Sequence, residues 1–340
     1  MEVIMKKNKG IRCTLKWLSL ALLVGTIIFS ISACKKKTDT TTTTSTIKSL
    51  VTNGTIVPIT TNMIKGTLFV VDELGRPIKG ITASNVSAKL KWFPLKSVKG
   101  DSSSVGGLIA VTGNNQNGLK VAAGITMDYS GSMSSNPTVI PSMEHGVKTY
   151  VHSMAPADRA EIIKFSNDVF VPQPFTSDTA ALIAGINNES YDLFMSTALY
   201  QSIYQGLVDA SYQDTSQYIR SVIGFTDGGE NYSSITEPEM LDFAISHGIP
   251  INTIGFLTTD TDTTDLRYIA ESTGGFFFLA ENDSSFAKIY STISGQLKNA
   301  YSYTVQWQGT LPPSGTPVTA TITTTYQNKH SSFQRTFYLP

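Results

Sequence analysis

Apolar positions between residues 119 and 298 switch repeatedly between two periods. Residues 119–127 form an apolar run, as in a buried strand. Met143, Val147, Tyr150, Val151 and Met154 then fall on one face of a helix. Ile162, Ile163 and Phe165 return to strand spacing, and Leu199, Ile203 and Leu207 to helical spacing. A strand at 222–225 follows, then a helix carrying Met240, Leu241, Ala244 and Ile245, a strand at 249–257 and a short strand at 276–279. Phe286, Ile289, Tyr290, Ile293 and Leu297 close the region with an amphipathic helix. Strands alternating with helices of this length predict an α/β fold with a doubly wound, mostly parallel sheet over 119–298. In such sheets ligands bind beyond the strand carboxyl ends, where the strand order reverses.

The flanks carry the period of two. Residues 68–71 read as a short apolar strand, with turn residues around Gly75 before Ile78 resumes it. Residues 88–93 alternate in part. Towards the C-terminus, Tyr301, Tyr303, Val305 and Trp307 recur every second residue, as do Val318, Ala320 and Ile322, with Pro312, Pro313 and Gly315 between them as a turn. Neither flank has enough strands for a sheet of its own. Residues 62–118 and 299–340 are therefore expected to join into one β-sandwich beside the central domain. Residues 34–61 read as a tether, because 38–45 is nearly all threonine and offers no apolar face.

Composition adds two constraints. The chain of 340 residues is 41% hydrophobic and 15% charged, which suits a globular protein of about two domains. Its net charge of zero gives no reason to expect a nucleic-acid partner. The N-terminus reads as an export signal: Lys6, Lys7, Lys9, Arg12 and Lys16 precede an apolar stretch, 17–31, that is short for a spanning helix. Ile31-Ser32-Ala33-Cys34 ends it. This tetrapeptide resembles a bacterial lipobox, which implies cleavage after residue 33 and a lipid on Cys34. The resemblance places the protein on the outside of a bacterial membrane, with an outer-membrane anchor expected. Loss of 1–33 removes Cys13 and leaves a mildly acidic chain of net charge −4 with no disulfide.

The chemistry concentrates in Asp128-Tyr129-Ser130-Gly131-Ser132, which follows the first buried strand. One carboxylate and two hydroxyls on a tight loop suit a hard divalent cation, and Gly131 is expected to let the loop turn. Ser196-Thr197-Ala198-Leu199 opens a helix, and Thr226-Asp227-Gly228 follows the strand at 222–225. Together these segments resemble the metal-ion-dependent adhesion site of von Willebrand factor type A domains, a Rossmann-like family. The resemblance implies a metal set of Asp128, Ser130, Ser132, Thr197 and Asp227. It departs from the family before the threonine, where Phe194-Met195-Ser196 stand in place of the usual glycines.

That set has a physical reading. Magnesium wants near-octahedral oxygen coordination, which Ser130, Ser132 and Thr197 can supply as neutral donors, with Asp128 and Asp227 accepting from bound water. Asp128 is expected at the rim of the sheet rather than in the core. An ion held mainly by hydroxyls stays under-neutralised, so an Asp or Glu carboxylate of a protein or matrix ligand can take its open position. Manganese or calcium could replace magnesium. The expected function is thus cation-dependent binding by a lipid-anchored extracytoplasmic domain, without catalysis. Two rivals remain at this stage: a metal-dependent hydrolase, for which no general base accompanies the aspartates, and a structural envelope protein with a vestigial site.

Overall fold

Alternation in the flanks and helix–strand exchange in the centre produce two separate sheets. The computed structural model describes residues 47–94, 102–113, 118–135, 137–189, 196–227, 229–256, 263–280 and 283–340, and Thr46–Pro340 forms a unit of its own. Among the described residues no helix is long and apolar enough to cross a membrane. The apolar stretch 17–31, Cys34 and the threonine-rich segment lie outside them.

The first sheet is wholly antiparallel. Its N-terminal strands are β1 (Leu50–Gly54), β2 (Val57–Thr60), β3 (Met63–Asp72), β4 (Val86–Trp92) and β5 (Ser103–Gly113). Its C-terminal strands are β12 (Tyr301–Trp307), β13 (Pro317–Tyr326) and β14 (Lys329–Tyr338). The order is β1-β3-β12-β5-β4-β13-β14, with β2 also on β3. Strand β12 thus lies between β3 and β5, so the two flanks do join. Tyr301, Tyr303, Val305 and Trp307 point inward with Leu68, Leu90 and Ile322, as the period of two requires. A two-residue turn at Gln327 and Asn328, both with positive φ, joins β13 to β14.

The flanking unit is one curled sheet, a near-barrel, and not the expected two-layer sandwich. Its end strands approach each other through side chains. Thr52 N donates to Ser331 Oγ at 2.9 Å, and Arg335 donates to Asn53 Oδ1 at 2.8 Å. Twist over strands of up to eleven residues closes the sheet on a single core, so no second layer is needed. Strands β1 and β2 also fall inside the stretch 34–61 read as tether. Leu50 and Ile56 are buried there, and that apolar content was outweighed by the neighbouring threonines.

The second sheet holds β6 (Lys120–Asp128), β7 (Arg159–Phe165), β8 (Val169–Thr176), β9 (Tyr218–Thr226), β10 (Ile251–Phe256) and β11 (Phe277–Ala280), in the order β11-β10-β9-β6-β7-β8. It is mixed. Every pairing is parallel except that of the edge strand β8, which runs antiparallel to β7. Strand β8 was absent from the sequence reading because Pro172 and Pro174 break its signal, and prolines are tolerated at a sheet edge. Helices α1 (Gly131–Ser135), α2 (Val139–Ser153), α3 (Thr179–Ile186), α4 (Leu199–Ser211), α5 (Glu237–His247), α6 (Thr264–Thr273) and α7 (Asp283–Lys298) complete the region. Met143, Val147 and Tyr290, from α2 and α7, pack on one face of the sheet. Leu199, Ile203, Met240 and Leu266, from α4, α5 and α6, pack on the other. Local signals place these helices: a capping box joins Thr236 to Glu239 at the start of α5, and Gly248 ends it at φ 63°.

The two sheets meet along β1. Asn53 Nδ2 donates to Gly275 O at 2.7 Å, and Arg335 to Glu271 O at 2.7 Å. Gly274 sits at φ 95°, where a Cβ would also meet Gly54 O at 2.3 Å, so the contact requires glycine.

Candidate metal centre

Strand order reverses at β6, which has β7 on one side and β9 on the other. Asp128 is the last residue of β6, and Asp227 follows the last residue of β9. Parallel pairing of those strands brings both carboxylates to one edge of the sheet. Tyr129 N donates to Phe165 O at 2.8 Å and so keeps the chain beside β7 for one more residue. The following residues then turn away from the sheet.

Four of the five expected residues form one hydrogen-bonded chain. Ser130 N donates to Asp128 Oδ1 at 2.7 Å. Ser130 Oγ lies 3.2 Å from Ser132 Oγ, and Ser132 Oγ donates to Asp227 Oδ1 at 2.7 Å. From below, Thr226 Oγ1 donates to Asp128 Oδ2 at 2.6 Å. Thr197 arrives separately. It lies in the loop before α4, where Ala198 N donates to Ser166 O and Ser196 N to Asn167 Oδ1, just past the end of β7. Thr197 N also donates to Asn231 Oδ1 at 2.8 Å, and Asn231 N returns a bond to Thr197 O at 3.1 Å. Asn231 follows Asp227 by one short loop, so the loops bearing Thr197 and Asp227 are stitched together. Glu230 in the same loop accepts from Tyr200 N at 2.9 Å and steadies the start of α4.

Burial is uneven. Asp128, Ser130, Thr197 and Asp227 are buried, whereas Ser132 is exposed. Asp128 has no exposed surface, which corrects the expectation of a rim position: it lies at the carboxyl edge but beneath the loop. Gly131 is not among the glycines with positive φ, so the loop does not turn on glycine freedom. It opens α1 instead. Residues 194 and 195, where the sequence departs from the adhesion-site pattern, lie outside the described residues.

The electrostatics suit a cation. Burial pushes the Asp128 carboxyl up to about 7; bonds from Thr226 and Ser130 oppose this, and the neighbouring Asp227 adds to it. Burial also raises Asp227, against the Ser132 bond. Two desolvated carboxylates backed by hydroxyls and one amide are short of positive charge. Among the described residues no three His, Cys, Asp or Glu side chains gather as a metal set, so any ion here relies on hydroxyl oxygens. The donor set present fits a hard divalent ion.

Sequence reasoning missed two supports. Thr226 stood in the quoted Thr-Asp-Gly motif without a role, although a hydroxyl one residue before a strand-end carboxylate is a natural donor to the next strand. Asn231 carried no signal, because only the folded loops show what it spans.

Residues 125–230 match the family model of the von Willebrand factor type A domain. Solved structures resemble the chain at low identity. A von Willebrand factor type A protein from Catenulispora acidiphila is 10% identical, with a TM-score of 0.48 over 86% of this chain and 72% of that one. An aerotolerance-related membrane protein from Bacteroides fragilis is 20% identical, with a TM-score of 0.43 over 51% of this chain and 98% of that one. Proximal thread matrix protein 1 from the mussel byssus, with a zinc-occupied adhesion-site motif, is 15% identical, with a TM-score of 0.44 over 52% of this chain; the chain spans 47% of that protein's length. No curated protein matches the chain in sequence.

Proposed function

We propose that this type A domain binds a protein or matrix ligand through a divalent cation at the loop 128–132, without catalysis. The carrying observation is the bonded chain Asp128–Ser130–Ser132–Asp227 at the point where the strand order reverses. Ser130, Ser132 and Thr197 would hold the ion through neutral oxygens, with Asp128 and Asp227 steadying its waters. Magnesium is the proposed ion, with manganese and calcium as substitutes. The ion supplies a Lewis-acidic open position for an Asp or Glu carboxylate of the ligand. Ser132 reaches solvent, which supports an open position accessible to a ligand. The lipobox supports an anchor at Cys34 and an extracytoplasmic, envelope-bound location.

The test uses Thr46–Pro340, titrated calorimetrically with magnesium, manganese and calcium. Because Asp128 is fully buried and tied to Thr226, its removal risks the fold. Ser132→Ala, at an exposed position, is the cleaner probe. It should weaken cation affinity by about tenfold or more while the circular dichroism spectrum stays unchanged. Equal affinity in Ser132→Ala, Ser130→Ala and the parent would remove the site. For the anchor, mass spectrometry of the mature N-terminus should find a lipid-modified Cys34, and an intact Met1 peptide would contradict it.

A further inference from the structure

The far end of the type A domain, away from Asp128, meets the outer face of the near-barrel around a cleft of about 430 Å³. That volume lies within the range of small-molecule sites. The register of the first sheet explains its floor. Lys65, Thr304 and Ala110 are cross-strand partners on β3, β12 and β5, and so are Thr67, Ser302 and Thr112 two residues away. All six share the face of the sheet turned to the cleft. The floor is therefore a patch of four hydroxyls beside one ammonium.

The walls are apolar and the charge is of one sign. Val57 and Ile59 stand on the barrel side, with Leu119 and Ile219 on the other. Lys65, Arg220 and His247 line the cleft, and among the described residues no Asp or Glu does. Lys120 Nζ and the Arg159 guanidinium lie 5.7 Å and 5.3 Å from the ring of Tyr218, another lining residue, and add to the positive field. Asp214, beside the lining residue Thr215, is engaged elsewhere: it accepts from Ser216 N and Oγ, both at 2.8 Å, and from Gln217 Nε2. Arg220 donates to Ser211 O and His247 O, which fixes its position. Lys65 has no partner among the described residues.

We propose that this cleft binds an organic anion with an apolar body, a carboxylate or sulfonate, independently of the metal centre. The apolar walls clasp the body, the hydroxyl floor takes its polar edge, and Lys65 with Arg220 and His247 takes the charge. The probe is anilinonaphthalene sulfonate, with uncharged phenylnaphthylamine as its neutral counterpart. Both are titrated by fluorescence into Thr46–Pro340. The sulfonate should bind at one site, with affinity at least about tenfold above that of the neutral dye. Thr304→Trp, which fills the cleft from an outward strand position, should remove that binding. Lys65→Met should weaken the sulfonate alone. Chelator should change neither, which separates this site from the metal loop. If Thr304→Trp does not fold, Ala110→Trp on the neighbouring strand makes the same test. Undiminished binding in the folded filled variant, or equal affinity for the two dyes, would overturn the proposal.

Discussion

Glu161 lies on β7 with 2% of its surface exposed, next to Asp209 of α4. Its carboxyl bonds to Asp209, while Oε2 has no hydrogen-bond partner among the described residues. Asp209 also accepts from Gln205 Nε2 at 2.6 Å. Burial first, and Asp209 second, push Glu161 from 4.5 up to about 9. The folded chain therefore holds Glu161 protonated at neutral pH. Because the folded value lies above the unfolded one, the associated stability is complete below about 4.5 and is lost as pH rises towards 9. At about pH 7.5, three units above the unfolded value, the loss reaches roughly 4 kcal/mol at most. Glu161→Gln keeps the shape, donates to Asp209 and needs no proton. It should raise stability at that pH by roughly 2–4 kcal/mol, and the gain should shrink towards zero near pH 4.5. Urea unfolding of both proteins across this range, with equal slopes, measures the difference. Parallel pH profiles, or a glutamine variant that is the less stable at high pH, would refute the reasoning.

Two further outcomes follow from the packing. Lys164 is 1% exposed; its Nζ donates to Ile186 O and Asn188 O, both at 2.8 Å, and lies 4.5 Å from the ring of Tyr129 in the loop 128–132. Lys164→Met leaves the two carbonyls at the end of α3 unpaired and should cost roughly 2–4 kcal/mol in urea unfolding; an unchanged midpoint would contradict this. Truncation after Asn299 removes β12 from between β3 and β5, and should make 50–113 sensitive to limited proteolysis while the fragment 119–298 resists it; resistance of both would contradict the shared sheet.

Local periodicity decided which segments became strands and helices. Apolar runs such as 119–127 and 222–225 read as buried strands because few polar residues fall in them. The alternation of Tyr301, Tyr303, Val305 and Trp307 with polar residues marked a strand by its period of two. Residue type and spacing alone made Asp128, Ser130 and Ser132 read as an oxygen-rich loop, whereas Asp227 joined them only through the family resemblance. Pairing partners were not legible, since hydrogen bonds between strands are made by backbone that every residue shares. Only the tertiary structure placed β12 between β3 and β5, curled the flanks into one near-barrel, and drew β1 out of the presumed tether. It alone put Thr226 under Asp128, bound Thr197 to Asn231, and set Glu161 against Asp209. These contacts join residues from 34 to 98 positions apart, and no local pattern carries that information.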